Sequence, residues 1–242
     1  GVFDEEMLKA IKAFQTDHGL LSDGVAGVGT IEEMNKSVFD RLKSVTVALE
    51  RERWMSGLYA EEDFQSSRSI LVNLTDFTAK ILDDGAVTFE TLSVIGADED
   101  NQRSPEFSDV MEHMVINPSW YVPRSITVDE YLPDLQEDPT SHDYLTMFVP
   151  DTGEVIARNG VDFTLFDRDT FPFELKQLPS LSNALGRVKF MFPNRHNIYL
   201  HDTPHKALFK KEKRAFSHGC IRLQEPFKFA YALLAKQSQS PV

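Results

Sequence analysis

The sequence predicts an α+β protein: a small helical module, a connecting helix, and then a mainly β domain that carries the chemistry. Three observations point to this. Apolar residues recur at helical spacing through roughly the first fifty positions, and beyond Trp54 the pattern changes to the alternation of strands. The only cysteine, Cys220, follows a strand-like run ending at His201 and a connection of fifteen residues to Ser217.

The elements follow in order. Asp4 is placed to cap a helix whose stripe is Met7, Leu8, Ile11 and Phe14, with Gly19 as its stop. A turn at Ser22-Asp23-Gly24 follows, and Thr30 with Glu33 reads as a capping box opening a second helix. Val38, Leu42, Val45 and Leu49 extend a connecting helix as far as Trp54, with the stripe expected to pack in a core. Strands are expected at Ser69 to Leu74, Thr78 to Leu82 and Val87 to Ile95, the last two joined as a hairpin by Asp83-Asp84-Gly85. A shorter one is expected at Met114 to Asn117.

From Arg124 to Ser182 the texture is irregular, with a short helix near Val128 to Leu132 and acidic residues dominating Asp129 to Asp151. Pro133, Pro139, Pro150, Pro172 and Pro179 punctuate it, so core strands are not expected there. A stretch this long between strands predicts a lid or an inserted lobe. Strands resume at Phe173 to Gln177, Val188 to Phe192 and Ile198 to His201, and Pro226 starts a last helix from Phe227 to Lys236.

Composition bounds the function. At 242 residues, the chain fits one large domain, or one domain with a small module. Hydrophobic residues are 41% and aromatics 11%, enough for a packed core. The net charge of −13 argues against nucleic acid or an anionic membrane as partner. Arg187 to Arg222 reverses the balance, with nine Lys or Arg against Asp202 and Glu212. Such a basic island suits a substrate bearing carboxylates and favours a thiolate. A single cysteine excludes an intramolecular disulfide. No signal peptide or membrane span is visible, and the chain opens in what reads as mid-domain, so an export signal is expected upstream.

The chemistry converges on Tyr199 to Pro204 and Ser217 to Arg222. A cysteine nucleophile acts as its thiolate and needs a base. His201 can be that base, and strand alternation puts Tyr199 on the same face. Gly219 lets backbone N–H groups approach a substrate, so Tyr199 with the amides of Gly219 and Cys220 can form an oxyanion hole. Zinc is the rival use of His201, His205, His218 and Cys220. Pro204 between the first two histidines breaks a helical His-x-x-x-His face, which argues against it. Trp120 is either core or an aromatic floor for a sugar or peptide.

These residues also resemble a known family. His201, fifteen residues, then Ser217-His218-Gly219-Cys220 is similar to the signature of the L,D-transpeptidases with a YkuD-type catalytic domain. Asn183 to Phe190, Phe192-Pro193-Asn194, Tyr199 to Pro204 and Ser217 to Leu223 resemble its YcbB-like subgroup, as does Arg222 two residues after the cysteine. Ala10 to Gln15, His18-Gly19-Leu20, Asp23 to Gly27 and Thr30 resemble a peptidoglycan-binding module. Val161-Asp162-Phe163 departs from the subgroup, which tends to have tryptophan at the third position.

The resemblance implies a partial wall-binding module at 1–36, a connecting helix at 37–53 and a catalytic domain at 54–242, with a capping subdomain at about 124–182. It implies Cys220 as nucleophile and His201 as base, oriented through a backbone carbonyl. His218 then shapes the loop and oxyanion site, with Arg222, Ser217, Trp120 and Asn183 as substrate contacts. The implied reaction joins two peptidoglycan stems in the periplasm without metal or cofactor, with other cell-wall synthesis enzymes as further partners. A hydrolase of the same fold and a non-catalytic wall-binding protein remain alternatives.

Overall fold

Gln15, not an apolar residue, centres the N-terminal helices in the computed structural model, which describes residues 3–59, 68–99 and 101–235. The chain forms two compact units, 1–94 with 207–215, and 95–206 with 216–242.

In the first unit, α1 (Glu5–Asp17) starts as expected, with Asp4 Oδ1 accepting from Met7 N at 2.9 Å. Its buried face differs from the expected stripe: Met7 is exposed, whereas Ile11 and Gln15 are buried. Gln15 Nε2 donates to Asp23 Oδ1, Val25 O and Thr30 Oγ1, and its Oε1 accepts from Gly24 N at 2.8 Å. A buried amide is tolerated because its NH2 group and its carbonyl oxygen both find partners. This use of Thr30 corrects the capping-box expectation. Helix α2 (Val28–Met34) is capped three residues earlier, at Gly27, and Thr30 turns inward to Gln15.

Helix α3 (Val38–Tyr59) forms, but Val38, Leu42, Val45 and Leu49 are each more than half exposed. Helical periodicity marked the helix correctly and its burial wrongly. Strands β1 (Arg68–Asn73), β2 (Thr78–Asp83) and β3 (Ala86–Gly96) make an antiparallel meander. Asp84 and Gly85 both take positive φ, as a tight hairpin requires. Part of the connection after His201 belongs to this unit. Arg214 donates to the carbonyls of Ser93, Asp76 and Phe77 and covers the Phe77 ring.

In the second unit, β4 (His113–Ile116), β8 (Val188–Met191), β9 (Leu200–His201) and β11 (Ile221–Leu223) lie side by side in the order β11-β9-β8-β4. Only the β9–β11 pair is parallel. A second sheet has the order β5-β7-β6, from Trp120–Tyr121, Glu174–Gln177 and Leu145–Phe148. Strand β10 (Ala215–Ser217) precedes the cysteine. The closing helix, α6 (Pro226–Leu234), buries Phe229 edge-on against Phe190 at 5.0 Å. The expected end of that helix, Lys236, lies outside the described residues.

The segment 124–182 has more regular structure than its prolines imply. It opens with α4 (Arg124–Ile126), a π turn (Thr127–Tyr131) and α5 (Leu132–Glu137), and supplies β6 and β7. Leu132, Leu135, Leu145, Met147, Phe163, Phe171 and Leu175 are buried in one cluster with Trp120, Leu185 and Tyr199, and Cys220 packs against it. Strand β7 stands where Phe173 to Gln177 was expected, whereas β6 corrects the expectation of no core strand in the proline-punctuated stretch, because four residues are too few to show a period. No helix among the described residues is long and apolar enough to cross a membrane.

Candidate active site

Register builds the site. Across β8 and β9, Lys189 pairs with His201 and Phe190 with Leu200. Across β9 and β11, Leu200 pairs with Ile221 and His201 with Arg222. Ile221 N donates to Tyr199 O at 3.0 Å, which brings Cys220 level with Tyr199. Cross-strand partners share a face and neighbours along a strand alternate. Lys189, His201 and Arg222 therefore form one row, and Tyr199 with Cys220 the next, on the same face. Phe190, Leu200 and Ile221 turn to the other side and are buried.

The loop Ser217 to Cys220 is held from several directions. Ser217 Oγ donates to Cys220 O at 2.6 Å and accepts from Gly219 N at 3.1 Å. Ser104 Oγ accepts from Gly96 N and donates to Gly219 O at 2.6 Å. Gly219 has φ +111, and a side chain there would meet Ile198 Cδ1 at 2.9 Å, so only glycine fits without rearrangement. His218 Nε2 lies 2.5 Å from Glu130 Oε1, on the π turn. The β8–β9 loop is pinned by Asn194, which donates to Phe192 O and Ile198 O and accepts from His196 N. That loop presents Asn197 O to the Cys220 thiol at 3.7 Å.

His201 is almost fully buried, and its Nδ1 donates to Asp202 O. Because a carbonyl can only accept, the proton sits on Nδ1 and Nε2 keeps its lone pair. Burial, then the Arg222 charge, brings the His201 pKa down to about 3, against the pull of the Asp202 and Leu185 carbonyls. Burial pushes the Cys220 thiol up, outweighing Tyr199, Arg222 and Lys189, which favour the thiolate. The basic surround favours the thiolate as expected, but desolvation outweighs it. The resting pair is a neutral imidazole and a neutral thiol. Burial likewise raises the Tyr199 phenol, which stays a hydrogen-bond donor.

The ladder brings Tyr199, His201, Cys220 and Arg222 together, with His218 and Gly219 in the adjoining loop. Three expected substrate contacts sit differently. Asn183 is fully buried, donates to Gln177 O and Leu178 O, and accepts from Leu185 N, so its amide serves the chain itself. Trp120 is buried in the core cluster, edge-on to Tyr131. Ser217 is buried with its hydroxyl committed within the loop. That bond also occupies the Gly219 N–H, one of the donors expected of an oxyanion hole. The reading of the sequence missed Glu130 and Ser104, and named Asn194 only within the family string, without its role in pinning the loop. Among the described residues no group of three or more His, Cys, Asp or Glu is arranged to hold a metal ion.

Comparison with known proteins follows the same lines. Residues 67–239 match the L,D-transpeptidase catalytic domain, and residues 1–34 match a candidate peptidoglycan-binding domain. A Haemophilus influenzae protein described as a candidate L,D-transpeptidase is 31% identical over 168 residues, 68% of this chain. The chain spans about a third (33%) of the length of that curated relative.

Proposed function

The chain belongs to the L,D-transpeptidase catalytic-domain family, and from that premise we propose that it cross-links peptidoglycan by cysteine acyl transfer. The observation that carries the reading is the shared face of Tyr199, His201 and Cys220, with His201 held as the Nδ1–H tautomer. The module at 1–36 holds the wall, 37–53 connects, 54–242 catalyses, and about 124–182 caps the site. The protein works in the periplasm.

His201 Nε2 takes the Cys220 proton as sulfur attacks the carbonyl of the diaminopimelate residue in a donor tetrapeptide. The resting thiol is protonated, so proton transfer accompanies attack. Cys220 N–H and Tyr199 O–H stabilise the oxyanion. The C–N bond breaks, the D-alanine nitrogen takes the proton from His201, and a thioester remains. The diaminopimelate amine of a second stem then attacks the thioester and loses a proton to His201. The thiolate leaves and is reprotonated, completing a 3→3 cross-link with no metal or cofactor.

The test is mass spectrometry of products from purified disaccharide-tetrapeptide. Cross-linked dimer with released D-alanine is expected, and Cys220→Ala and Cys220→Ser should abolish both while the fold persists. A carbapenem should acylate Cys220 one-to-one. Tripeptide alone would make the protein a hydrolase, and unchanged substrate would remove the catalytic reading.

A further inference from the structure

Two cations on the site face stand without a carboxylate. Lys189 and Arg222 flank His201 in the cross-strand row, on β8 and β11 respectively. Adjacent strands are about 5 Å apart, so the two backbones lie about 10 Å from each other. Both side chains are half-buried, and burial lowers the pKa of each. Lys189 sits 5.5 Å from the Tyr199 ring centroid, with Tyr121 and Cys220 near enough to act on its charge. Arg222 Nε is buried with no hydrogen-bond partner. Among the described residues neither cation is in an ion pair.

Two acids next to His201 and His218 are already engaged. Asp202 accepts from Arg187 N at 2.9 Å and from Lys206 Nζ at 2.6 Å. Glu130 meets His218. Half-desolvated cations of like sign, facing a neutral imidazole and a neutral thiol, are unfavourable unless an anion joins them. Supplying that anion from a substrate converts the unfavourable arrangement into binding and orientation beside the nucleophile.

We propose that Lys189 and Arg222 form a carboxylate subsite beside Cys220, and that Lys189 selects donors bearing a carboxylate within one residue of the scissile carbonyl. The inference rests on the acyl-transfer reading and names the substrate group that this site requires. That carboxylate has two sources: the C-terminus of the leaving residue, or the diaminopimelate residue that is attacked.

Calorimetry on Cys220→Ala protein, which cannot turn substrate over, tests the subsite. The ligands are disaccharide-tetrapeptide, its C-terminal carboxamide, and the form amidated on the diaminopimelate carboxylate. One of the two amides should bind at least about tenfold more weakly than the parent, since a charge-assisted bond is lost. That amide identifies the source. In Cys220→Ala with Lys189→Met the difference between acid and amide should disappear, and Lys189→Arg should restore it in part. A thermal melt shows that the variants fold.

Equal binding of the parent and both amides overturns the proposal, as does a Lys189→Met loss of the same size for acid and amide. Turnover of tetrapeptide by the unmodified protein without carboxylate dependence removes the subsite alone. Neither binding nor turnover removes the subsite and the acyl-transfer reading together.

Discussion

Replacing His201 by Asn should flatten the acid side of the protein's stability profile. The imidazole is buried beside Arg222, and its pKa falls from the ordinary 6.5 to about 3. In the unfolded chain it protonates near 6.5. Between those values the unfolded state binds one more proton, so stability falls as pH falls. The loss begins near pH 6.5 and is complete only near 3. At pH 5.0 it amounts to about 1.5 pKa units, or roughly 2 kcal/mol.

Urea unfolding followed by tryptophan fluorescence at pH 7.0 and 5.0 measures it. With an m-value of about 2 kcal/mol/M, the wild-type midpoint should drop about 1 M further than that of His201→Asn. The other six histidines are common to both proteins and cancel in the comparison. Parallel losses would show that His201 is solvated or charged in the folded state, and the neutral-base mechanism would go with it.

Three further outcomes follow from the packing. Ser104→Ala strips Gly96 N and Gly219 O of their partner, so stability in urea should fall by about 1–3 kcal/mol and Cys220 should alkylate with altered kinetics, with Ser104→Thr milder. Gly186→Ala forces a side chain at φ +60 into the Asp202 carboxylate, so about 2 kcal/mol of stability should be lost and turnover should fall with it. Deleting 124–182 behind a short linker uncovers Trp120, Val122, Leu185 and Tyr199, roughly 6–12 kcal/mol of lost burial. That is comparable to the whole stability of a domain, so cooperative unfolding should vanish. A cooperative melt of the deleted protein would show that the segment is a separable lobe after all.

Several features were legible in the sequence because their signals are local. The Asp4 cap and the Asp83-Asp84-Gly85 hairpin depend on residues a few positions apart, and the backbone there obeyed them. The residues of the proposed chemistry stood out as a group. A single cysteine in a Ser-His-Gly-Cys loop, with a histidine on an alternating strand upstream, leaves few other uses for those side chains.

Tertiary structure decided what alternation and spacing cannot reach. Strand β9 has two residues and β11 three, too few for a period, so register alone set Lys189, His201 and Arg222 in one row. Glu130 reaches His218 across 88 residues of chain, and Gln15 is buried only because Asp23, Gly24, Val25 and Thr30 fold back around it. The resting charge of Cys220 is likewise not a matter of counting. Nine basic residues between Arg187 and Arg222 argued for a thiolate, and burial, which no count of charges contains, keeps the thiol protonated.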